Sequence, residues 1–193
     1  METSNNVSKT LYAYDPTTLA LDTETISLDL NSDGTPELTR VIDSTQDNLL
    51  RPTGFQLLNG TTLENQATYT YSPTDGRIAT ISGGGLQPPS PANTFIYAYQ
   101  ANSPNLIKTL TALAHTVTNT WEPTRDVLSN KENKAGATIV SNYAYLVNPI
   151  GQRTDLTQTG SAFTAARSIA WGYDTLGQVT TADSTILGLY YEC

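Results

Sequence analysis

The residues best suited to chemistry lie in one short polar stretch, LDLNSDGTPEL, which spans residues 28–38. Oxygen-bearing side chains alternate along this stretch, and a glycine follows the third of them: Asp29, Asn31, Asp33, Thr35 and Glu37. Calcium binds several oxygens at once, and an alternating pattern around a tight turn can bring such oxygens together. The pattern is similar to the start of a D-x-[DN]-x-[DN]-G calcium loop, and it therefore predicts a calcium site.

A metal-free turn is the alternative for this stretch, and it is the one that we favour. Asn-Ser-Asp-Gly makes a good hairpin turn by itself, because Asn and Asp side chains accept hydrogen bonds from nearby backbone and glycine tolerates positive φ. A complete EF-hand loop needs a glutamate at its twelfth position, which is Arg40 in this chain. Glu37 could complete only a shorter loop, so the sequence leaves both alternatives open.

No catalytic set can be assembled around the single histidine. His115 lies in TALAHTVTNT, between small and polar residues, and no Gly-x-Ser-x-Gly elbow accompanies it. Carboxylate pairs hydrolyse glycosides in many enzymes, and Asp15, Asp43 and Asp174 align at equivalent positions of a sequence repeat. Repetition favours a turn-forming role for these carboxylates, so we predict no catalytic residue and no enzymatic activity.

Composition excludes several classes of function. The chain has 193 residues, with 10 Lys+Arg against 18 Asp+Glu and a formal net charge of −8, so it lacks the basic stripe that nucleic-acid binding requires. Cys193 is the only cysteine, and we therefore expect neither an intrachain disulfide nor a cysteine-based metal site. The first ten residues contain no apolar segment of the kind found in signal peptides, and no stretch is apolar enough to span a membrane.

Aromatic residues recur in pairs that are separated by one residue, and these pairs indicate β-strands. In a strand, residues i and i+2 share a face, whereas in a helix they point in nearly opposite directions. The residue between the two aromatics is Ala, Thr or Gly, which leaves the other face nearly bare. The pairs are Tyr12 and Tyr14, Tyr69 and Tyr71, Tyr97 and Tyr99, Tyr143 and Tyr145, and Trp171 and Tyr173.

Alignment on the second aromatic of each pair gives seven units of about 22 to 29 residues. Trp121 fills one gap in the series, and the tripeptide VID that ends at Asp43 fills another. Each pair is followed by a turn, in which Asp15 or Asp174 accepts backbone hydrogen bonds and a glycine reverses the chain. The turn glycines are Gly76, Gly151 and Gly177, and a polar residue such as Arg77 begins the return strand.

Each unit therefore predicts a β-hairpin, and the chain as a whole predicts an all-β fold. One hairpin is marginally stable in water, so neighbouring hairpins must supply the buried surface, with cross-strand aromatic neighbours contributing roughly 0.2–1 kcal/mol each. We expect a curved or spiralling antiparallel sheet of repeated hairpins in a single domain that covers residues 1–193. Unrelated strands of an ordinary β-sandwich are the alternative.

These units resemble the YD repeat of the Rhs and teneurin families, whose pattern is roughly aromatic-x-Tyr-Asp-x-x-Gly-Arg-Leu. WGYDTLGQV, residues 171–179, matches best, YTYSPTDGRI keeps the Gly-Arg half but has Ser72 in place of Asp, and YAYDPTTLAL lacks the glycine. The resemblance implies a long antiparallel sheet that spirals into a hollow shell, which encloses a C-terminal toxin or forms an extracellular scaffold. The Rhs-associated core with its self-cleavage motif has no counterpart in this chain.

The resemblance gives the functional expectation: a non-catalytic structural scaffold or shell segment of a larger Rhs-like, secreted or cell-surface, toxin-encapsulating polypeptide. Its partners would be the remainder of that polypeptide or an encapsulated C-terminal domain, and open sheet edges would favour self-association. The alternative is a carbohydrate-binding adhesin that uses the aromatic face. The residues expected to maintain the repeat are Tyr14, Asp15, Tyr71, Gly76, Arg77, Tyr99, Trp121, Tyr145, Gly151, Trp171, Tyr173, Asp174 and Gly177.

Overall fold

The structure, a computed structural model, describes residues 2–4, 7–85, 93–101, 103, 105–185 and 191–192. Cys193 lies outside this range. The chain divides into two compact units, Met1–Phe95 and Ile96–Cys193. The described residues contain no helix of the length and apolarity that a membrane span requires.

The first unit is built from consecutive antiparallel strands, each hydrogen-bonded to the one before it in sequence. Its Thr-rich strands suit a pleated surface that is half-buried, and most of their described residues are partly exposed. The strands are β1 (Glu2–Ser4), β2 (Ser8–Tyr14), β3 (Leu21–Leu28), β4 (Leu38–Gln46), β5 (Pro52–Asn59), β6 (Thr62–Tyr71) and β7 (Ile78–Gly85), followed by β8 (Asn93–Tyr99), which ends in the second unit.

The second unit repeats this arrangement from β9 onwards, again with antiparallel pairing of each strand to the next. Its strands are β9 (Ile107–Ala112), β10 (His115–Trp121), β11 (Leu128–Ala135), β12 (Thr138–Val147), β13 (Arg153–Thr159), β14 (Arg167–Tyr173), β15 (Val179–Ser184) and β16 (Tyr191–Glu192). The described residues of both units contain strands and turns but no helix. The prediction of an all-β, antiparallel sheet of repeated hairpins is therefore confirmed, whereas its curvature and the single domain stay predictions.

Neither unit encloses a hydrophobic core among the residues that the structure describes. Within each unit, the described strands contact only the strands before and after them in sequence, so these strands form a single layer. No hydrophobic side chain in the described ranges is buried, and the buried polar side chain is Ser141, at 9% exposure. Backbone hydrogen bonds and side chains at the strand ends must therefore hold the hairpins in place.

Six of the hairpins, those that begin with β2, β4, β6, β10, β12 and β14, share a β-bulge next to the turn. In the β6–β7 hairpin, Thr70 pairs with Thr80 and Tyr71 with Ile78, so Ala79 has no partner across the ladder. Such a bulge interrupts the ladder and increases the local twist of the strands. The equivalent unpaired residues of the other hairpins are Asp22, Thr53, Ser129, Thr154 and Thr180. The bulge thus marks the same edge of every such hairpin within its unit.

Five of these six turns also contain a residue in the left-handed region of backbone space. Gly76, Gly151 and Gly177 have φ values of 70°, 92° and 79°, which glycine adopts without strain. In the β2–β3 and β4–β5 turns the same position is taken by Leu19 and Leu50, with φ of 59° and 60°. The turn therefore requires a positive φ at this position, which is why the sequence pattern has glycine there. Leucine can also adopt this φ, at a cost of roughly 1–2 kcal/mol.

Candidate functional site

The first residue of each short turn closes the turn with its own side chain. Asp47 Oδ1 accepts hydrogen bonds from the backbone N–H groups of Leu49 and Arg51, at 2.8 and 3.0 Å. Asn148 and Asp174 do the same for the N–H groups two and four positions further on. These side chains therefore replace backbone partners in the turn, which is the behaviour that Asn and Asp show in Asx turns.

The β2–β3 turn is one residue longer and is closed by Asp15. Its Oδ1 accepts hydrogen bonds from the N–H groups of Thr17 and Thr18, at 2.9 and 2.7 Å, and from the Thr18 hydroxyl at 3.0 Å. The backbone bond from Thr18, followed by those from Thr17 and the hydroxyl, lowers the pKa of the Asp15 carboxyl. Asp15 therefore maintains the turn as an anion, as the sequence predicts for the first residue after the aromatic pair.

Side chains at the ends of the outgoing strands donate hydrogen bonds to the preceding hairpin. The Tyr71 hydroxyl lies 2.7 Å from the carbonyl oxygen of Pro52, and the Tyr173 hydroxyl lies 2.6 Å from that of Arg153. Each acceptor begins the return strand of the hairpin before. We call these bonds the strand-end tethers, and each one links consecutive hairpins of the same unit.

Two further tethers use other side chains at the equivalent strand end. Trp121 Nε1 donates to the carbonyl of Ile107 at 3.1 Å, and Gln46 Nε2 donates to that of Leu21 at 3.3 Å. A tether therefore requires a donor at the tip of a side chain of suitable length, and an aromatic ring is one way to provide it.

Guanidinium groups link successive turns as well. Arg51 Nε lies 2.7 Å from Asp47 Oδ2 in its own turn, and its Nη1 donates to the carbonyl of Gly76 in the next turn at 3.2 Å. The side-chain hydrogen bond from Arg51 lowers the pKa of the Asp47 carboxyl. The guanidinium also lies 4.2 Å from the ring centroid of Tyr71. One side chain thus joins two turns and covers the strand-end aromatic.

The second unit contains the same arrangement with other residues. Arg125 Nε donates to Glu122 Oε2 at 2.6 Å, and its Nη1 donates to the carbonyls of Asn148 and Pro149, both at 2.9 Å. Gln152 provides a neutral version, because its Nε2 donates to the carbonyl of Gly177 at 3.2 Å. We call these contacts, with that of Arg51, the turn clamps.

The structure corrects the repeat alignment at two positions. Asp43 lies inside β4, where it pairs with Thr23 and Gln56, and Asp47 is the residue that closes the turn. Asp43 therefore does not occupy the position of Asp15 and Asp174, as the sequence alignment placed it. The error arises because the strand-end residue of this hairpin is Gln46, which is not aromatic.

Tyr145 is displaced from its expected position in the same way. It pairs with Leu156 inside β12, and the strand-end position is taken by Val147, two residues later. Tyr145 therefore aligns with Trp171 and not with Tyr173. Its ring lies 4.2 Å from the guanidinium of Arg153, so it contacts the return strand of its own hairpin.

The remaining predicted repeat residues lie at the turn edge. Tyr14, Tyr99 and Trp121 end β2, β8 and β10, and Tyr14 is 46% exposed. Arg77 Nε donates to Asp75 Oδ2 at 2.7 Å within its turn, and this hydrogen bond lowers the pKa of the Asp75 carboxyl to about 2. All the aromatic pairs lie in strands, as their spacing predicts.

The predicted calcium loop joins β3 to β4 and brings its acidic groups together. One carboxylate oxygen from each of Asp29, Asp33 and Glu37 lies within 4.8 Å of the others. Each group also accepts a backbone hydrogen bond: Asp29 Oδ2 from Gly34 at 2.7 Å, Asp33 Oδ1 from Thr35 at 2.8 Å and Glu37 Oε2 from Leu30 at 2.6 Å. Asn31 Oδ1 accepts the N–H of Asp33 at 3.0 Å, so the loop is closed by its own side chains.

The single histidine lies on a strand and not in a turn. His115 is exposed at the start of β10, opposite Ala112 and Ala135. Sequence reasoning missed Asp47, Arg51 and Arg125, which lie in turns that have no aromatic pair or a degenerate one. A signal for them exists in the chain, because a long polar side chain precedes the return strand at Arg51 as it does at Gln152.

Comparison with known proteins supports the fold. No family model and no curated protein matches the chain. The crystal structure of TcdB2-TccC3-Cdc42 is similar with a TM-score of 0.68 and 12% identity, and that of TcdB2-TccC3 with 0.66 and 11%. A Photorhabdus luminescens Tc holotoxin pore gives 0.65 and 11%.

The matches cover 94% of this chain and 9–10% of the matched chains, so this chain spans about a tenth of their length. The likeness fits a YD-repeat segment, and the resemblance found in the sequence is confirmed at the level of fold.

Removal of one tether tests its contribution to stability. Tyr71→Phe keeps the ring beneath Arg51 but deletes the hydroxyl that donates to Pro52, so we expect the free energy of unfolding to fall by about 1 kcal/mol. Tyr69→Phe is the matched control, because in the described part of the chain the Tyr69 hydroxyl makes no hydrogen bond. Urea denaturation measures both variants, and equal losses would contradict the tether.

Calcium titration decides between the two alternatives for the β3–β4 loop. We expect the melting temperature to be the same in excess calcium and in EDTA, because the carboxylates already accept backbone N–H groups. A melting temperature that is higher in calcium than in EDTA, with a difference that Asp33→Asn abolishes, would instead establish a calcium site. Asp183→Asn, a carboxylate outside the loop, is the matched control for the change in net charge.

Proposed function

We propose that the chain is a non-catalytic structural segment of a larger Rhs-like polypeptide, in which its hairpins form part of a wall around an enclosed C-terminal domain. The observation that carries this proposal is the uncovered sheet, in which no described hydrophobic side chain is buried. Monomeric soluble proteins rarely leave large apolar areas uncovered. A sheet of this kind is therefore suited to a larger assembly that covers at least one face.

The apolar residues at the turn tips point to the same conclusion. Leu49, Ile150 and Leu176 each follow the closing residue of a short turn by two positions, and they are 72%, 78% and 82% exposed. A turn by itself needs no apolar side chain there, and polar residues are typical of turns. Repeated exposure at equivalent positions supports contact with other parts of a larger polypeptide.

The strand-end aromatics favour the structural role over carbohydrate binding. The hydroxyls of Tyr71 and Tyr173 are used in tethers, and guanidinium groups cover the rings of Tyr71 and Tyr145. A sugar that stacks on these two rings would have to displace Arg51 or Arg153. Export to the medium or the cell surface is part of the proposal, and its support is the fold likeness to Tc toxin chains.

A glycan array combined with thermal melting tests the scaffold against the adhesin. We expect no specific glycan binding. We expect Tyr71→Ala and Tyr145→Ala to lower the melting temperature, because each substitution removes a ring that contacts a guanidinium group. Tyr71→Ala also removes a tether. Tyr97→Ala controls for the loss of a strand tyrosine. Specific binding that the two substitutions abolish without lowering the melting temperature would support the adhesin and overturn the scaffold.

For the isolated chain, the partner that we propose is a second copy of itself, bound through open sheet edges. The unpaired N–H and C=O groups of an outermost strand can pair with another copy. Sedimentation velocity should therefore show a mean sedimentation coefficient that rises with protein concentration, and 0.5 M salt should not reverse it, since backbone pairing is not screened. A single monomeric boundary at every concentration would contradict this proposal.

A further inference from the structure

A cavity of about 440 Å³ lies between the β2–β3 turn and the β4–β5 turn. Its volume falls within the roughly 300–1,000 Å³ of small-ligand pockets. The lining mixes polar and apolar groups, and its charged side chains among the described residues are all acidic; it includes Asp15, Ala20, Asp22, Asp47 and Leu50. Asp47 is already paired with Arg51. The other two lining carboxylates, Asp15 and Asp22, form no ion pair with any side chain in the described part of the chain.

Two of the three turn clamps place a guanidinium group between successive turns. Between the β4–β5 and β6–β7 turns, the guanidinium of Arg51 bonds the carboxylate that closes its own turn and the carbonyl of Gly76 in the next. Between the β10–β11 and β12–β13 turns, Arg125 bonds Glu122 and the carbonyls of Asn148 and Pro149. Both clamps place a planar donor between a carboxylate and a carbonyl of successive turns.

Equivalent acceptors are present at the cavity, but the described residues that line it include no guanidinium donor. Ala20 directly precedes the return strand, as Arg51 does in the next hairpin. Asp15 closes the turn as Asp47 does, and only its Oδ1 takes part in the turn hydrogen bonds. Leu50 has the left-handed conformation of Gly76, so its carbonyl is the counterpart of the one that Arg51 bonds.

We propose that this cavity binds a guanidinium group, supplied as the arginine side chain of another polypeptide segment, between the Asp15 carboxylate and the Leu50 carbonyl. The bulge residue Asp22 adds a second carboxylate at the cavity wall. A guanidinium fits better than an ammonium, because its rigid fork donates to two acceptors at once and is more weakly hydrated. The volume also accommodates the aliphatic stem that carries the group.

Titration of the full chain with small probes tests the site. We expect L-argininamide to give saturable chemical-shift changes at the amides of Thr17, Thr18 and Leu50, and N-acetyl-Gly-Arg-Gly-amide to bind at least as tightly. Lysinamide and the neutral isostere citrullinamide should bind at least about tenfold more weakly, since each lacks either the fork or the charge. Equal binding of all probes, or binding of argininamide but not of the peptide, would overturn the proposal.

Substitutions at the cavity identify the groups involved. Ala20→Arg should fill the cavity from within and abolish argininamide binding, whereas Ala20→Ser should retain it. Asp15→Asn keeps an oxygen for the turn N–H groups and should weaken binding about tenfold. Asp174→Asn, at a closing residue outside the cavity, is the matched control and should leave binding unchanged. Unaltered binding in both Ala20→Arg and Asp15→Asn would place the probe elsewhere and overturn the assignment.

Discussion

The hydrogen bond from a strand-end side chain to the carbonyl of the preceding hairpin is the contact on which the rest of the arrangement depends. The described residues provide no hydrophobic core, so hairpins are held by their backbone ladders and by whatever joins them at the turn edge. The ladder is interrupted at that edge, because a bulge residue directly follows Leu21, Pro52 and Arg153. These are three of the carbonyls that the tethers use, so the side chain supplies a donor where the backbone pairing changes register.

Spacing and residue type were sufficient to predict the strands. Tyr-x-Tyr places two large side chains on one face, and the Asp-Gly and Pro-containing segments mark reversals, so the hairpins and their antiparallel pairing follow from local pattern. The alignment of one sequence repeat with the next did not follow from it. Tyr71 to Tyr99 and Tyr145 to Tyr173 both span 28 residues, yet only the first step joins equivalent positions, because turns of two lengths occur and Val147 replaces the aromatic.

The turn clamps could not be predicted from the sequence, because the residues that they join are distant along the chain. Arg51 and Gly76 are separated by 25 residues, as are Gln152 and Gly177, which is about the length of one hairpin unit. Local propensity says nothing about such a pair until the register of the sheet is known. The β3–β4 loop differs, since its acceptors and donors lie within a few residues of each other and the pattern alone placed them together.

The chemistry of the tether also explains why the repeat is so degenerate. A phenol, an indole N–H and a carboxamide all present a donor at a similar reach, and Tyr173, Trp121 and Gln46 use them at equivalent positions. The left-handed turn position likewise accepts leucine at a modest cost. Because each requirement is for a donor or a backbone angle and not for one residue, hairpins can retain this fold while identity to the matched Tc toxin chains falls to 11–12%. A core would not permit such freedom, since packed side chains must match one another in volume.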